Sequence, residues 1–247
     1  MRLLVLDCAA NACAAAILDD DRDLASLSEP MMRGHAERIA PMLADCLAAA
    51  AMEADALDAV AVTVGPGAFT GIRIGLAAAR GFALAADLPI LGVNCLEVAA
   101  ASFRSQSPVL VALETKRSDF YLQAFDLSGD ALTEPAALLA ADIGTYLPAA
   151  GVGPDGWPVT GDGAARLVAE AEKAGFPLHN AATVVGNSAV TAGRIAMTRA
   201  ARDGLPGPSD PGPKPLYLRP PDVNLKPAVS PLGPARAQHS GPSDHGN

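Results

Sequence analysis

The amino-acid sequence predicts an α/β protein built of two related lobes. Its first half opens with strand candidates separated by polar turns, at Leu3 to Leu6, Ala12 to Leu18 and Leu24 to Ser28. Its second half opens with another such pair, at Val109 to Leu113 and Phe120 to Phe125. In each half the chain then alternates between helix and strand patterns, which indicates a partly parallel sheet covered by helices. The two halves therefore form a coarse structural repeat.

The spacing of apolar residues predicts the elements of the first half. Its three strand candidates, joined by short polar turns, form an antiparallel meander. Apolar residues then recur every three or four positions from His35 to Met52, which predicts a helix with one buried face. Thr70 is the expected cap of a later helix. The remaining elements are a strand at Val60 to Val64, a helix at Thr70 to Ala86, a strand at Ile90 to Val93 and a helix at Cys95 to Phe103.

The sequence of the second half predicts a similar series of helices and strands. Its composition changes after the last of them. After the hairpin come a helix at Ala136 to Leu147, a strand at Pro158 to Thr160, a helix at Gly163 to Ala174, a strand at Thr183 to Val185 and a helix at Ser188 to Arg202. A polar stretch before Pro108 divides the lobes, giving residues 1–105 and 106–203. Proline and glycine dominate residues 204–247, which we predict to be a largely disordered tail anchored through Leu216 to Arg219.

Charge and cysteine content exclude several classes of protein. The formal net charge of −9 argues against independent binding to nucleic acid, so any contact with RNA is expected to need a partner. Cys8, Cys13, Cys46 and Cys95 show neither zinc-site nor disulfide-framework spacing. The N-terminus meets Asp7 too early for a secretory signal, and no uncharged apolar run reaches membrane-spanning length. These features predict a cytoplasmic protein with no membrane contact.

The most distinctive stretch is GPGAFTGIRIG, from Gly65 to Gly75, between a predicted strand and a predicted helix. Such a turn favours anion binding, because free amide groups and the positive helix end converge there. The stretch has neither the Gly-Lys-Ser/Thr of a Walker loop nor the glycine spacing of a dinucleotide fingerprint. The alternative is a structural turn whose small residues let backbone segments pack closely. The residues of that turn are Gly65, Pro66, Gly67, Gly71 and Gly75.

This motif closely resembles the GPGSFTGxRIG signature of the bacterial TsaB (YeaZ) family. Four other landmarks occur in the family's order: Asp7 after the first strand, His35 to Met42 resembling HSERLLPM, Leu91 to Glu97 resembling GVSSLE, and Tyr217 to Pro220 near the end. The resemblance covers roughly residues 1–125, and beyond them mainly the Gly161 to Gly163 turn and the Tyr-Leu-Arg tail. It implies an actin-like (ASKHA) fold of the sugar kinase and Hsp70 type, which agrees with two related lobes.

The resemblance also implies a function. Members of the TsaB family are accessory subunits in making N6-threonylcarbamoyladenosine, the modified adenosine beside the anticodon of tRNAs that decode ANN codons. They pair with the paralogue TsaD, which carries the transferase site, and the complex also engages the ATPase TsaE. By this resemblance the chain forms a homodimer when TsaD is missing and meets tRNA only through the complex.

The metal-binding histidines of the catalytic paralogue are replaced in this chain. TsaD resembles Val93 to Ala99 but has Val-Asn-His-Leu-Glu-x-His, in which two histidines four apart on a helix can hold a metal ion. Cys95 and Ala99 occupy those places here. Alanine has no donor atom, and one thiol without neighbouring ligands makes a poor metal site. We therefore expect no metal site, no catalytic residue and a noncatalytic role.

Nucleotide binding and independent enzyme activity are the alternatives. Actin-like folds hold phosphate at the first hairpin turn, where the family follows its Asp with Thr or Ser, but here Asp7 is followed by Cys-Ala-Ala. The remaining nucleotide candidates are Asp7, Gly161, Asp162 and Gly163, each also explained by a plain turn. ATP is expected to bind weakly at most, or at the interface of the complex. The alternative function is a self-sufficient ATPase or a glycoprotease-like peptidase using Asp7 or His35, although no nucleophile elbow is present.

Two predicted helices supply a candidate partner surface. At 100° per residue, Arg73 and Arg80 share one side of the Thr70 helix, opposite a stripe of small residues whose alternative role is packing inside the lobe. Arginine combines apolar contact with ion pairing, as interfaces require. The resemblance supports this surface, because the family pairs with TsaD through this helix and the His35 helix. The expected interface residues are His35, Arg38, Met42, Phe69, Thr70, Arg73, Leu76, Ala77, Arg80 and Leu84.

Overall fold

The computed structural model describes residues 1–103, 107–149, 156–181, 187–207 and 210–219. Within these residues the chain forms two five-stranded sheets with helices packed on them. This arrangement confirms the predicted α/β class and the two lobes.

The first sheet combines an antiparallel meander with parallel strands. Its strands are β1 (Arg2–Asp7), β2 (Ala12–Asp19), β3 (Arg22–Pro30), β4 (Ala59–Gly65) and β5 (Ile90–Asn94). They lie in the order β3-β2-β1-β4-β5, with β1, β2 and β3 antiparallel and β1, β4 and β5 parallel. Val5 in the centre pairs with Ala16 on one side and Ala61 on the other. The central strands are apolar throughout because both of their faces are buried.

The second sheet repeats the topology of the first. Its strands are β6 (Val109–Glu114), β7 (Asp119–Phe125), β8 (Ala136–Leu139), β9 (Trp157–Thr160) and β10 (Leu178–Asn180). The order β8-β7-β6-β9-β10 matches that of the first sheet strand for strand, again with three antiparallel and then two parallel strands. Two lobes with this shared topology form the actin-like fold, so the repeat expected from the sequence is confirmed.

The helices cover the sheets and close the core. They are α1 (His35–Ala49), α2 (Phe69–Ala86), α3 (Cys95–Ala101), α4 (Ile143–Ala149), α5 (Ala164–Lys173) and α6 (Ser188–Asp203), with 3₁₀ turns at Ala54–Ala56 and Ala140–Asp142. α1 and α2 lie side by side on one face of the first sheet. In α1 the buried Ile39, Met42, Leu43 and Cys46 recur at the predicted helical spacing.

Two sequence-based predictions need correction, and a third falls outside the described residues. The predicted helix at Ala136 to Leu147 is wrong in its first part, where β8 pairs with the edge of β7 before α4 begins at Ile143. The fifth strand of the second sheet is β10, whereas the strand predicted at Thr183 to Val185 lies outside the described residues. Thr70 does not cap α2, because the helix begins at Phe69 and its N-cap is Ala68.

The predicted division into residues 1–105 and 106–203 separates the two sheets but misplaces the last helix. α6 packs on the first sheet, where Gly193 lies against the side chains of Val5 and Leu18. An added methyl group at Gly193 would come within 2.8 Å of Leu18, so glycine lets this helix approach the sheet closely. α6 therefore completes the first lobe from the far end of the chain, and its alanines fill the second core layer.

Residues 213–219, called here the C-terminal strap, lie against both lobes. The backbone N–H of Leu216 donates to the Val64 carbonyl at 2.8 Å, which joins the strap to the end of β4. Leu218 packs into the core cluster beneath the second sheet, and the Arg219 guanidinium pairs with Asp119 at 3.1 Å. The anchor predicted at Leu216 to Arg219 is thus confirmed, and residues 220–247 of the predicted tail lie outside the described residues.

Candidate functional site

The glycine-rich turn between β4 and α2 packs against the turn that follows β1. The Ala68 N–H donates to the Ala9 carbonyl at 2.8 Å, so this amide at the start of α2 is already used. A methyl group added at Gly71 would lie 1.9 Å from the Cys8 carbonyl oxygen, and one at Gly67 would lie 2.3 Å from that of Ala9. The two backbone turns therefore touch directly, which gives a structural reason for glycine at both positions.

The other residues of the predicted structural turn have different surroundings. Gly65 has a φ of +100°, in the region that favours glycine, and is joined to the buried Pro66 by a cis peptide bond. A methyl group at Gly75 would instead meet the Cys8 and Val62 side chains at 3.5 and 3.6 Å, which is ordinary contact distance. Close backbone approach thus accounts for Gly67 and Gly71 but not for Gly75.

A cavity of about 400 Å³ lies between the two lobes. The first lobe contributes Asp7 and Thr63 to its lining, and the second lobe contributes Glu114, Gly161 and Asp162. The fold therefore brings together three of the four nucleotide candidates named from the sequence, although Asp7 is more than 150 positions from Gly161 and Asp162 in the chain. This interlobe cleft is where the two halves of the molecule meet.

The polar groups of the cleft are held by the protein's own turns. Asp7 is buried, and its Oδ1 accepts hydrogen bonds from the Thr63 hydroxyl at 2.6 Å and the Ala9 N–H at 2.9 Å. Asp162 Oδ1 accepts the Glu114 N–H at 2.8 Å. Because these carboxylates stabilise the ends of β1 and β6, turn formation explains them without a ligand.

Gly161 and Gly163 also serve the turn that leads into α5. Gly161 has a φ of +103°, and a methyl group there would lie 2.2 Å from the Ala112 carbonyl oxygen. Gly163 is the N-cap residue of α5, and its N–H donates to that carbonyl at 3.0 Å. This turn therefore packs closely against β6, at the edge of the cleft.

The two positions at which the resemblance to TsaD implies histidines lie in the lining of the cleft. Cys95 and Ala99 both line it, four positions apart along α3. Burial raises the pKa of the Cys95 thiol well above its ordinary value, so the sulfur stays protonated and is a poor ligand and nucleophile. Among the described residues there is no group of three His, Cys, Asp or Glu side chains placed to hold a metal ion.

The long helix α2 divides its residues between the core and an exposed row. Ile72, Leu76, Ala79 and Ala83 pack into the first lobe. On the opposite side Arg73, Ala77, Arg80 and Leu84 form one exposed row, called here the α2 stripe. Leu84 is 86% exposed, and Phe69 at the start of the helix is 42% exposed. The stripe combines apolar side chains with two arginines, which is the composition of a docking surface.

α2 is apolar well beyond what its buried side requires. By length and composition it passes as a membrane span, yet only 33% of its residues are buried. Because Ile72 and Leu76 pack on the sheet, α2 is a core helix of the first lobe. Its excess of apolar residues lies on the outer side, where an apolar surface is typical of protein contact.

Several residues predicted for the partner interface lie inside the lobe or are engaged there. Met42 and Leu76 are 0% and 3% exposed, so these two predictions are wrong: both side chains belong to the core. His35 is 7% exposed, and its Nε2 meets no hydrogen-bond partner among the described residues. The small-residue stripe of α2 also faces inward through Gly71 and Gly75, as the alternative interpretation had it.

Arg38 links α1 to β3. Its guanidinium contacts both carboxylate oxygens of Glu29 at 2.6 to 2.9 Å and reaches Asp45 at 3.0 Å. The Arg38 side chain therefore forms ion pairs within its own lobe, although it lies near the surface of α1. The hydrogen bonds from Arg38 lower the pKa of the Glu29 carboxyl.

The Arg38 contact gives a pH-dependent prediction. Because the pKa of Glu29 is lower in the folded state, the pair stabilises the protein at neutral pH, and this contribution is lost as the pH falls and Glu29 is protonated. Arg38→Gln should therefore lower the melting temperature slightly at neutral pH and leave it unchanged in acid. Arg33→Gln, in the exposed turn before α1, is the matched control and should have no effect at either pH. A deficit of equal size at both pH values would contradict the assignment.

Sequence reasoning missed the C-terminal strap as part of the α2 surface. Tyr217 stacks near Phe69 with ring centroids 5.0 Å apart, and its hydroxyl accepts a hydrogen bond from Arg73 Nε at 2.9 Å. Arg80 donates to the Pro213 carbonyl at 2.8 Å. The signal available in the sequence was the apolar Leu-Tyr-Leu-Arg run within a proline-rich stretch, which indicates an anchor but not its place of attachment.

Comparison with known proteins places the chain in a family. Residues 29–150 match the family model described as TsaD: tRNA N6-adenosine threonylcarbamoyltransferase. The chain is 37% identical over 124 residues to the tRNA threonylcarbamoyladenosine biosynthesis protein TsaB of Escherichia coli strain K12. That alignment covers 49% of this chain and 53% of the relative, so the chain spans about half the length of this curated relative.

Solved structures extend the similarity to nearly the whole fold. The chain superposes with a TM-score of 0.68 at 28% identity on the crystal structure of an uncharacterized protein with similarity to peptidase YEAZ from Pseudomonas aeruginosa. The superposition covers 88% of this chain and 99% of that one. YeaZ from Pseudomonas aeruginosa superposes with a TM-score of 0.62 at 27% identity, covering 83% and 98%. Together with the Gly65 to Gly75 signature and the duplicated topology, these similarities show that the chain belongs to the TsaB (YeaZ) family.

Proposed function

We propose that this protein is a noncatalytic partner subunit that binds and stabilises a TsaD transferase. Together they would carry out the N6-threonylcarbamoyladenosine modification of the tRNA adenosine next to the anticodon in ANN-decoding tRNAs. The named role of the Escherichia coli relative in threonylcarbamoyladenosine biosynthesis supports the pathway. The observation that supports the partner role is the α2 stripe, in which the exposed Ala77 and Leu84 alternate with two arginines on a core helix.

The cleft chemistry supports a noncatalytic role. At the two places where the paralogue carries histidines, this chain places a protonated Cys95 thiol and the methyl group of Ala99. A protonated thiol is a poor ligand for a divalent metal ion, and a methyl group has no donor atom. Asp7, the acid or base candidate among the described residues that line the cleft, is buried and accepts hydrogen bonds from the Ala9 N–H of its own turn and the Thr63 hydroxyl of β4. The chain therefore has to rely on its partner for the transfer step.

The proposed partners agree with the surface and the charge of the chain. A net charge of −9 repels the tRNA backbone, so tRNA is expected to be held by the complex rather than by this chain alone. The α2 stripe is proposed to dock on TsaD, with TsaE joining the complex, and to pair with a second copy when TsaD is missing. We place this assembly in the cytoplasm, and ATP at most weakly on this chain or at the interface of the complex.

Reconstitution tests the proposal. Purified chain, TsaD and TsaE should be combined in all pairings with tRNA and the threonylcarbamoyl-adenylate donor, and incorporation into tRNA measured. We expect no incorporation by the chain alone, and a rate with TsaD that rises at least about tenfold when the chain is added, corresponding to about 1.4 kcal/mol of activation free energy.

Two outcomes of that experiment would contradict the proposal. Incorporation by this chain without TsaD would favour the alternative of a self-sufficient enzyme. Full activity of TsaD with TsaE alone would remove the need for a partner. Calorimetric titration of the isolated chain with ATP and magnesium separates the alternatives further, because a self-sufficient actin-like ATPase requires tight binding in the interlobe cleft.

A further inference from the structure

Two buried thiols face each other at the turn between β1 and β2. Asp7 of β1 pairs with Ala14 of β2 at the end of their antiparallel ladder, so Cys8 and Cys13 are the next positions on the two sides. The Sγ atoms of these two residues lie 3.8 Å apart, within hydrogen-bond distance for sulfur. Both residues are buried in the core cluster that α1 and α2 form on the first sheet. Neither the family similarity nor the proposed partner role uses this pair.

The backbone at these two positions suits a disulfide bond. Residues directly opposite each other on antiparallel strands have Cα atoms about 4.5 to 5.5 Å apart. Disulfides occur at Cα separations of about 4.4 to 6.8 Å, a range that includes this spacing. The sulfur atoms have to approach from 3.8 Å to about 2.05 Å, which rotation of the two side chains can provide.

The surroundings favour a thiolate at Cys13 over one at Cys8. The pKa of the Cys13 thiol is lowered, chiefly because the Cys8 S–H donates to its sulfur, and also by the nearby Arg38 guanidinium. Burial and the carboxylates of Glu29 and Asp7 oppose this effect without reversing it. The pKa of the Cys8 thiol is raised, first by the same hydrogen bond and then by burial and by the charges of Cys13 and Asp7. Because the thiolate is the nucleophile, Cys13 is the sulfur that meets an oxidant first.

The turn that joins the two cysteines gives a small oxidant access to them. Its residues Ala10 and Asn11 are exposed, so the buried pair lies next to a surface turn. Residues 9–12 of this turn also line the interlobe cleft. Local opening of such a turn brings a small reagent to the buried groups beneath it. A disulfide between Cys8 and Cys13 would link the two ends of the turn and oppose that opening.

We propose that Cys8 and Cys13 are a redox-active pair, which hydrogen peroxide converts into a disulfide that closes the base of the β1–β2 turn. The Cys13 thiolate attacks one peroxide oxygen, the O–O bond breaks, and hydroxide leaves and is protonated to water, giving a sulfenic acid at Cys13. The Cys8 sulfur then attacks the Cys13 sulfur. The S–S bond forms as the S–O bond breaks, and the leaving hydroxyl group takes the Cys8 proton and departs as water. Two thiols thus give up two electrons and two protons, and one peroxide becomes two water molecules.

A reversible bond of this kind agrees with the cytoplasmic location proposed for the chain. Disulfides in that compartment are transient and usually catalytic or redox-sensing. The cysteine spacing argues against a permanent disulfide framework, and a single reversible bond does not require one. A cytoplasmic dithiol reductant returns the pair to two thiols by thiol–disulfide exchange. The pair belongs to this chain alone, so the proposal is independent of the partner role.

Oxidation of the full chain with a small excess of hydrogen peroxide tests the pair. Titration of the unfolded product should show two free thiols in place of four, and peptide mapping should find Cys8 joined to Cys13. The melting temperature should rise by roughly 4–8 °C, because closing a loop of six residues restricts the unfolded chain. Dithiothreitol should restore all four thiols and the original melting temperature.

Cys46→Ala is the matched control, because Cys46 is buried in the same core cluster. After oxidation this variant should contain the Cys8 to Cys13 bond and melt at a higher temperature than its own reduced form, by as much as the wild type does. Cys8→Ala should form no disulfide and show no such rise. Its oxidation should stop at the sulfenic acid, which dimedone traps at Cys13.

Three results with the wild type would overturn the proposal. They are four free thiols after oxidation, a disulfide that joins any other two cysteines, and an unchanged melting temperature in the disulfide-bonded protein. If Cys8→Ala does not fold, the thiol count and the peptide map of the wild type decide the matter alone. None of these readouts involves TsaD or tRNA, so failure here is distinct from failure of the partner role.

Discussion

Replacing Gly71 by alanine is expected to lower the free energy of unfolding by about 3 kcal/mol or more, which is the upper end of the cost of overpacking. The added methyl group would lie 1.9 Å from the Cys8 carbonyl oxygen, and neither backbone can yield without moving β1 away from α2. For a chain of this size the melting temperature should fall by roughly 6–12 °C. Thermal unfolding followed by circular dichroism measures the shift.

Gly75→Ala is the matched control for this prediction. It introduces the same methyl group one turn further along the same helix, but at 3.5 Å from the nearest atom. Alanine also has the higher helix propensity, by about 1 kcal/mol, so Gly75→Ala should leave the melting temperature unchanged or raise it. Similar losses in both variants would mean that helix distortion, rather than contact between the two turns, determines the effect of Gly71→Ala.

Replacing Leu84 by aspartate is expected to weaken binding to TsaD at least about 30-fold, the effect of losing about 2 kcal/mol at an interface hot spot. Leu84 is 86% exposed on the α2 stripe, so docking would bury it, and a carboxylate there would have to lose its hydration. Because the side chain is exposed in the free protein, the melting temperature should not change. Surface plasmon resonance with immobilised TsaD gives the dissociation constant.

The control for Leu84 is another exposed leucine. Leu127, in the turn after β7, is 64% exposed and lies in the second lobe, away from α2. Leu127→Asp adds the same charge to the same acidic protein and should leave the affinity for TsaD unchanged. If both variants lose affinity equally, net charge rather than the α2 stripe controls association, and the proposed docking surface is wrong.

Much of the fold could be predicted from local sequence patterns. The buried strands β1 and β4 are uninterrupted apolar runs bounded by turn residues, and the spacing of Ile39 and Met42 identifies the inner face of α1. Local patterns are sufficient there because each segment carries its own hydrophobic periodicity. The prediction for the Ala136 segment was wrong because local pattern is not sufficient there. A short run of alanine and leucine fits either a helix or a strand until its pairing with β7 is known.

The parts of the site that were missed depend on long-range contacts. Leu76 has the right helical position to be near an interface, and only the packing of α2 on the sheet shows that it faces inward. Met42 was named for the interface although its spacing with Ile39 already placed it on the inner face of α1. The contacts of Tyr217 with Phe69 and Arg73 join the C-terminal strap to the start of α2, two distant segments with no shared motif. By contrast, Arg73, Ala77, Arg80 and Leu84 share one side of α2 because helical geometry alone places them there.

The position of α6 has a consequence for synthesis on the ribosome. The first sheet needs this helix to cover its second face, and Arg194 of α6 pairs with Asp23 of β3 across 171 positions of the chain. Until residue 188 and those after it have emerged, the apolar side chains of Leu3, Val5 and Leu18 on that face stay open to solvent. The N-terminal lobe is thus made first but finished last, and its nascent form is the state that chaperones must protect from aggregation.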